Sequence, residues 1–346
     1  MALRRLAIRV VFAVLLAALL LAGIEAASRV GERLAYGARW TQDGPEGLYQ
    51  QGPDGNPRLV PGATLPAWLY AVRVNSLGFR GEEIAAPKPA GGLRVWCLGG
   101  STTFDIFSRD DASAWPARVE RLLSATAPGR AIDVVNAGVP GMVLASSRVD
   151  LLAHDHTLRP DIVVVHHGPN DLRAASRQGM PLEPPPPEVS LALVRVLARV
   201  LPPAPPDPAW ARRRLDPRGL EIVRERLVEL VDAAEAQGMA VVLATLAHRA
   251  ADDATGDEAL RVVAEGVRLY RMPPEAVIAM FAAYNQMVRE LAAERGLPLA
   301  DVRAAVPTDD AYWGDATHFA APGSELAAQA VADAIVAAGL LDRPSR

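Results

Sequence analysis

From residue 93 onward, short apolar runs alternate with segments whose apolar side chains recur at helical spacing. The first run, 93–98, ends at Gly99-Gly100 and reads as a buried strand. Asp111 or Ser113 then caps a helix that carries Pro116 in its first turn and Val119, Leu122 and Leu123 on one face. Residues 132–135 read as a second strand ending at Asn136, followed by a helix capped at Ser146 or Ser147 that runs to Leu158. A third strand, 162–165, leads to Gly168. After a long helix over 218–237, stopped by Gly238, a fourth strand spans 240–246. A helix over 274–295, stopped by Gly296, precedes a fifth strand at 297–302, and a last helix covers 322–338.

Strands covered on both faces read as unbroken apolar runs, and strands that alternate with helices pair in parallel. The pattern therefore predicts an α/β fold, a five-stranded parallel sheet in a three-layer α/β/α sandwich over 93–342, with right-handed crossovers. Residues 28–92, rich in Gly, Pro and Asn, read as a loop-rich extension packed on this body. Residues 180–217 interrupt the alternation with proline blocks on either side of an apolar stretch, 190–201, that holds one short helix. That insertion is either a surface excursion or a lid or membrane-lying segment. No internal repeat is present.

The beginning of the chain follows another pattern. Arg4, Arg5 and Arg9 precede an unbroken apolar run over 10–24. As a helix this run is roughly 22 Å long, short of a hydrocarbon core of roughly 30 Å. Snorkelling by Arg9 and the alanines after Glu25 make up the difference. Residues 1–27 thus read as a membrane anchor or, alternatively, a cleaved signal segment. Either way the arginines stay in the cytoplasm and the remainder is exported, so the expected location is the inner membrane with a periplasmic catalytic domain, or secretion.

Composition adds exclusions. The formal net charge is −4, without the basic surplus or charge runs of a nucleic-acid binder, so no nucleic-acid partner is expected. The single cysteine, Cys97, lies within an apolar run and supplies neither an intramolecular disulfide nor a cysteine-rich zinc site. Histidines at 154, 156, 166, 167 and 248 show no complete ligand set at zinc spacing. His154 and His156 are expected near a helix end, facing solvent or at best a metal, and His166, His167 and His248 beside the ligand-binding edge, where they can shape the pocket.

In open parallel sheets, ligands bind outside the carboxyl ends of the strands. Four candidate segments fall there. Ser101 follows Gly99-Gly100 in a turn that exposes its hydroxyl; a phosphate loop would need a following Gly-Lys-Ser or Gly-Lys-Thr, which is missing. Gly141, in the loop after the second strand, can offer a bare N–H to an oxyanion, or the loop is an ordinary connection. Asn170, in Gly168-Pro169-Asn170-Asp171, can donate its amide to the same oxyanion, or mark a simple turn. His318 is a candidate base and Asp315, three residues earlier, a candidate partner for its far nitrogen; a metal pair or surface turn compete with that reading.

Together these segments resemble the SGNH/GDSL hydrolase superfamily. Gly99 to Thr103 resembles its first block, Asn136 to Gly141 its second, Gly168 to Asp171 its third, and Asp315 to His318 its last. The first block reads Gly-Gly-Ser-Thr rather than Gly-Asp-Ser-Leu. Val74 to Gly81 also resembles a segment common in bacterial members with an N-terminal anchor. The resemblance implies a flavodoxin-like fold and a serine esterase that needs no metal or organic cofactor. It implies Ser101, Asp315 and His318 as catalytic residues, and an oxyanion hole of the Ser101 and Gly141 N–H groups with the Asn170 side chain. Asp171 is expected to brace the third block. The implied substrate is an acylated glycan, lipid or small ester. An O-acyltransferase acting on an exported polysaccharide and a non-catalytic carbohydrate-binding module are the alternatives.

Overall fold

Every residue of Leu93–Gly99 (β1) is buried, and its side chains alternate between two hydrophobic cores. Trp96 and Leu98 enter one core, Val95 and Cys97 the other. This is the period-two geometry of a strand covered on both faces. Ile132–Gly138 (β2), Ile162–His166 (β3), Ala240–Ala244 (β4) and Leu299–Ala300 (β5) complete the sheet. All pairings are parallel, in the order β5-β4-β3-β1-β2. The chain winds outward from β1 to β2 and then, from β3, in the opposite direction. That puts the crevice of a doubly wound sheet at the carboxyl ends of β1 and β3.

The fold is taken from a computed structural model that describes residues 2–36, 38, 40–41, 44–52, 55–66, 71–177, 191–194 and 207–346. Its helices are Ala2–Tyr36 (α1), Ser101–Phe104 (α2), Trp115–Thr126 (α3), Leu144–Leu158 (α4) and Pro169–Ser176 (α5). Pro217–Ala236 (α6), Gly256–Tyr270 (α7), Pro274–Arg295 (α8), Val302–Ala305 (α9) and Ala321–Ala337 (α10) follow. One face of the sheet packs on α4, α6, α7 and α8, through residues such as Leu151, Leu227, Val263 and Phe281. The other packs on α3 and α10, through Trp115, Val119, Ala328 and Ile335. The three-layer α/β/α sandwich is present.

Several local expectations change. Ser146 and Ser147 do not cap α4; both are buried within it, and the carboxylate of Asp171 accepts the N–H of Leu144 at its first turn (3.0 Å). A cap supplied from another element leaves no mark in the local sequence. Neither Asp111 nor Ser113 caps α3: Asp105 accepts the N–H of Trp115 at its first turn (2.9 Å), and Asp110 caps a short turn over Asp111–Ser113. Helices α2, α5 and α7 are not among the elements that the pattern predicts.

The segment 28–92 is more regular than its composition suggests. Tyr49–Gln51 pairs antiparallel with Pro57–Leu59, and Thr64–Pro66 with Ala71–Arg73. Three-residue strands are too short for alternation to register. Leu48, Leu59, Leu65, Val72 and Val74 form a small core with Phe104, Val139 and Met142 of the main body. The extension therefore packs directly behind α2 and the loop after β2.

Helix α1 continues past Ala27 to Tyr36, and the part over Arg4–Ala35 is long and apolar enough to cross a membrane. Its apolar side chains, Leu6 to Leu34, are exposed. Of the insertion, 191–194 and 207–217 are described; the rest of the helix expected within 190–201 lies outside the described residues. The N–H groups of Ala192 and Leu193 both donate to the Glu25 carboxylate of α1 at 2.9 Å.

Candidate active site

Ser101 is the first residue of α2, immediately beyond β1. The first N–H groups of a helix have no partner within it, so the Ser101 N–H is available beside its own hydroxyl. Helix α2 turns so sharply off the sheet that a Cβ on Gly100 would stand 2.6 Å from Asn170 Nδ2. A side chain at position 100 would displace the Asn170 amide from its bond to Met142 O. The hydrogen bonds of α2 close on Gly100 and Ser101, with Phe104 N donating to Gly100 O (2.9 Å) and Asp105 N to Ser101 O (3.0 Å).

The loop before α10 brings His318 to Ser101. The Ser101 hydroxyl lies 2.7 Å from His318 Nε2, and His318 Nδ1 lies 2.7 Å from Asp315 Oδ2. With the ring proton on Nδ1, the imidazole donates to the carboxylate and accepts from the hydroxyl. The other carboxylate oxygen of Asp315 accepts the N–H groups of Thr317 and His318, each at 2.9 Å, so one side chain shapes the loop and orients the ring. Arg249 N ties the loop to the sheet edge through Ala316 O (2.9 Å), and Phe107 packs edge-on against the imidazole.

Burial lowers the pKa of His318, but the adjoining Asp315 charge and its hydrogen bond outweigh that, and the net shift is upward. Burial likewise raises Asp315, and the attraction of His318 with the bonds from the loop holds it below the usual carboxylate range.

The loop after β2 is a tight turn, Val139-Pro140-Gly141-Met142, closed by Met142 N on Val139 O (3.0 Å). Gly141 has φ +87°, as the third position of a type II turn requires. Its N–H lies outside the turn's own bond. Asn170, in the first turn of α5, donates Nδ2 to Met142 O (2.9 Å), fastening the β2 and β3 loops together. Ser101, Gly141, Asn170 and His318 line one cavity of about 690 Å³.

The structure thus brings Ser101, Asp315 and His318 into one hydrogen-bonded chain and sets Gly141 and Asn170 beside it. Asp171 is buried with Oδ1 on Leu144 N (3.0 Å) and Oδ2 3.5 Å from His167 Nδ1, away from the cavity lining. The expectation that His166, His167 and His248 shape the pocket does not hold. All three are buried behind it, His166 against Thr103 and His167 against Ser147. Burial pushes His166 and His248 down to about 3, so both are neutral. His154 packs among Phe79 and Trp96, half-buried, rather than facing solvent, while His156 is exposed. Among the described residues, no three His, Cys, Asp or Glu side chains are grouped to hold a metal.

Sequence reasoning missed other participants. Arg173 and Glu265 line the cavity, as do Tyr49, Gln50 and Gln51 of the extension. Arg173 stands on α5, a helix the pattern does not predict, and the extension residues carry no motif. Asp105 is a fully buried carboxylate at the end of α2, accepting from Trp115 N (2.9 Å) and Ser324 Oγ (2.8 Å). Burial pushes it up to about 6 against those bonds.

Comparison with known proteins gives one family match: residues 97–326 fit the model of the GDSL-like lipase/acylhydrolase family. No curated protein matches the chain significantly. Among solved structures it is similar to a GDSL-like lipase from Bacteroides thetaiotaomicron, at 14% identity and TM-score 0.42, covering 71% of this chain and 88% of that one. It is also similar to an α/β hydrolase enzyme from the metagenome of Lake Arreo (19%, TM-score 0.45, 73% and 98%). An acetyl-xylooligosaccharide esterase from Geobacillus gives 18%, TM-score 0.44, and 71% and 95% coverage.

Proposed function

Because this chain belongs to the GDSL-like lipase/acylhydrolase family of carboxylic ester hydrolases, we propose that it cleaves its ester through an acyl-enzyme on Ser101. The observation that carries the reading is the continuous chain Asp315–His318–Ser101, with both links at 2.7 Å. A serine hydroxyl needs a base to attack at neutral pH, and His318 Nε2 is within reach of its proton. His318 takes that proton as Oγ bonds to the ester carbon. The oxyanion accepts from the Ser101 and Gly141 N–H groups and from Asn170 Nδ2, whose second hydrogen is not engaged by Met142 O. His318 then protonates the leaving alcohol. Water, deprotonated by the same ring, attacks the acyl carbon, and the ring returns that proton to Ser101 Oγ as the acid leaves. Asp315 fixes the tautomer and stabilises the imidazolium.

The reading extends to location. Helix α1 lies in the membrane with Arg4, Arg5 and Arg9 on the cytoplasmic side, and the catalytic domain works on an ester outside. Ser101→Ala is the direct test. It should abolish turnover of p-nitrophenyl acetate and labelling by a fluorophosphonate while leaving the melting temperature within a few degrees of wild type. Undiminished turnover by the purified variant would sink the scheme.

A further inference from the structure

The cavity beside Ser101 is much larger than an acetyl group requires and falls in the range that buries a drug-sized ligand. Its walls come from two sources. Tyr49, Gln50 and Gln51 belong to the hairpin of the extension, while Arg173 and Glu265 stand on α5 and α7. The hairpin is a fixed wall. Leu48 and Leu59 are buried in the small core behind α2, and Arg58 Nε lies 3.2 Å from Asp150 on α4.

The chemistry of these walls is selective. Among the described residues the apolar contribution is Ile106 and the Tyr49 ring with two prolines, Pro57 and Pro140. A long acyl chain gains from leaving water only along a continuous apolar wall, and among the described residues polar groups interrupt the lining. Beyond Ser101 and His318, the polar groups are the amides of Gln50, Gln51 and Asn170, the Tyr49 hydroxyl, a guanidinium and a carboxylate. Among the described residues, neither the Arg173 guanidinium nor the Glu265 carboxylate has a hydrogen-bond or ion-pair partner. An anionic ligand would meet Glu265 and a cationic one Arg173, so the pair favours a neutral group that both donates and accepts. Hydroxyls do both, and so match the glutamine amides as well.

We propose that Gln50, Gln51, Arg173 and Glu265 form a subsite for a hydroxyl-rich alcohol, so that the substrate is a short-acyl ester of a carbohydrate rather than a lipid. This rests on the esterase reading above. The extension is then a specificity element as well as the link to α1.

The test uses the full chain, purified in detergent, and three substrates: mono-O-acetylated cellobiose, p-nitrophenyl acetate and p-nitrophenyl palmitate. Wild type should turn over the acetylated sugar with the highest kcat/KM and the palmitate with the lowest. Arg173→Ala and Gln51→Ala, checked for an unchanged melting temperature, should each lower the ratio of kcat/KM for the sugar ester to that for p-nitrophenyl acetate. The expected loss is on the order of 10- to 100-fold for the arginine and several-fold for the glutamine, carried mainly by KM. A wild type that prefers the palmitate, or a ratio unmoved in both variants, overturns the subsite while leaving the esterase intact. If wild type cleaves none of the three and Ser101 takes no fluorophosphonate, the esterase reading fails and the subsite with it.

Discussion

In the proposed mechanism His318 serves as a base only while neutral, so its surroundings set the working pH. Burial alone would take its pKa below 6.5, but Asp315 beside Nδ1 reverses the shift, and the charges of Glu265 and Asp105 add to the upward pull. The acid limb of kcat/KM should therefore lie above pH 6.5, with activity rising as pH increases through the raised pKa. Removing the nearest negative charge with Asp315→Asn should move that limb to lower pH and cut kcat by about 10³- to 10⁴-fold. A pH–rate series on both proteins checks this, and an unmoved limb would show that another group controls the ring. The sign for stability is separate. His318 contributes stability below pH 6.5 that is lost as pH rises through its raised folded value, whereas Asp315, with its value lowered from 3.8, contributes above 3.8 and loses that as pH falls. The proposed triad was legible in the sequence because Ser101 directly follows β1 and Asp315 sits at a short fixed spacing from His318. Arg173, Glu265 and Gln51 were not, since a pocket wall depends on which distant elements meet.

Helix α2 has four residues, far too few to persist without support from its surroundings. Arg80 from the extension supplies much of that support. Its guanidinium donates to Phe104 O (2.8 Å) and Asp105 O (3.1 Å), pairs with Asp111 (2.9 Å), and lies 4.7 Å from the centre of the Phe104 ring. Cations at a helix C-terminus are favourable, and here the side chain is fully buried. Arg80→Ala leaves Asp111 without this partner and uncaps the carbonyls, so it should destabilise the fold by about 3 kcal/mol. Urea unfolding gives the number, and a loss under about 1 kcal/mol would mean that α2 is held by other contacts. Long elements with a clean period were readable, as α8 was, with Gly296 in the left-handed conformation at its stop. Helix α7 was harder to read because its backbone breaks from helical geometry at Val263 and a glycine, Gly266, stands in its buried stripe. Helix α5 begins at Gly168-Pro169, a pair that signals a turn in sequence even where it starts a helix.

Alternating apolar runs sufficed to read the sandwich, but not the strand order, because nothing in a strand records its neighbours. The same holds for how α1 meets the rest of the molecule. An exposed helix with apolar side chains from Leu6 to Leu34 presents far more contiguous apolar surface than a soluble chain carries. Glu25, just past the apolar run, is bonded to Arg29 and to the N–H groups of Ala192 and Leu193, which sets a described part of the insertion against α1 where the run ends. Neighbouring Leu191 and Val194 are exposed there. A helix of this kind holds its protein in the bilayer after peripheral contacts are stripped, so the full chain should stay in the membrane pellet through an alkaline carbonate wash. A chain starting after Tyr36 should move to the supernatant. The proposed orientation, with Arg4, Arg5 and Arg9 on the cytoplasmic side, has its own test. Protease added to sealed right-side-out vesicles should digest a tag at the C-terminus, and inside-out vesicles should protect it. Release of the full chain by carbonate would remove α1 as an anchor, and the reverse protection pattern would put Ser101 on the cytoplasmic side.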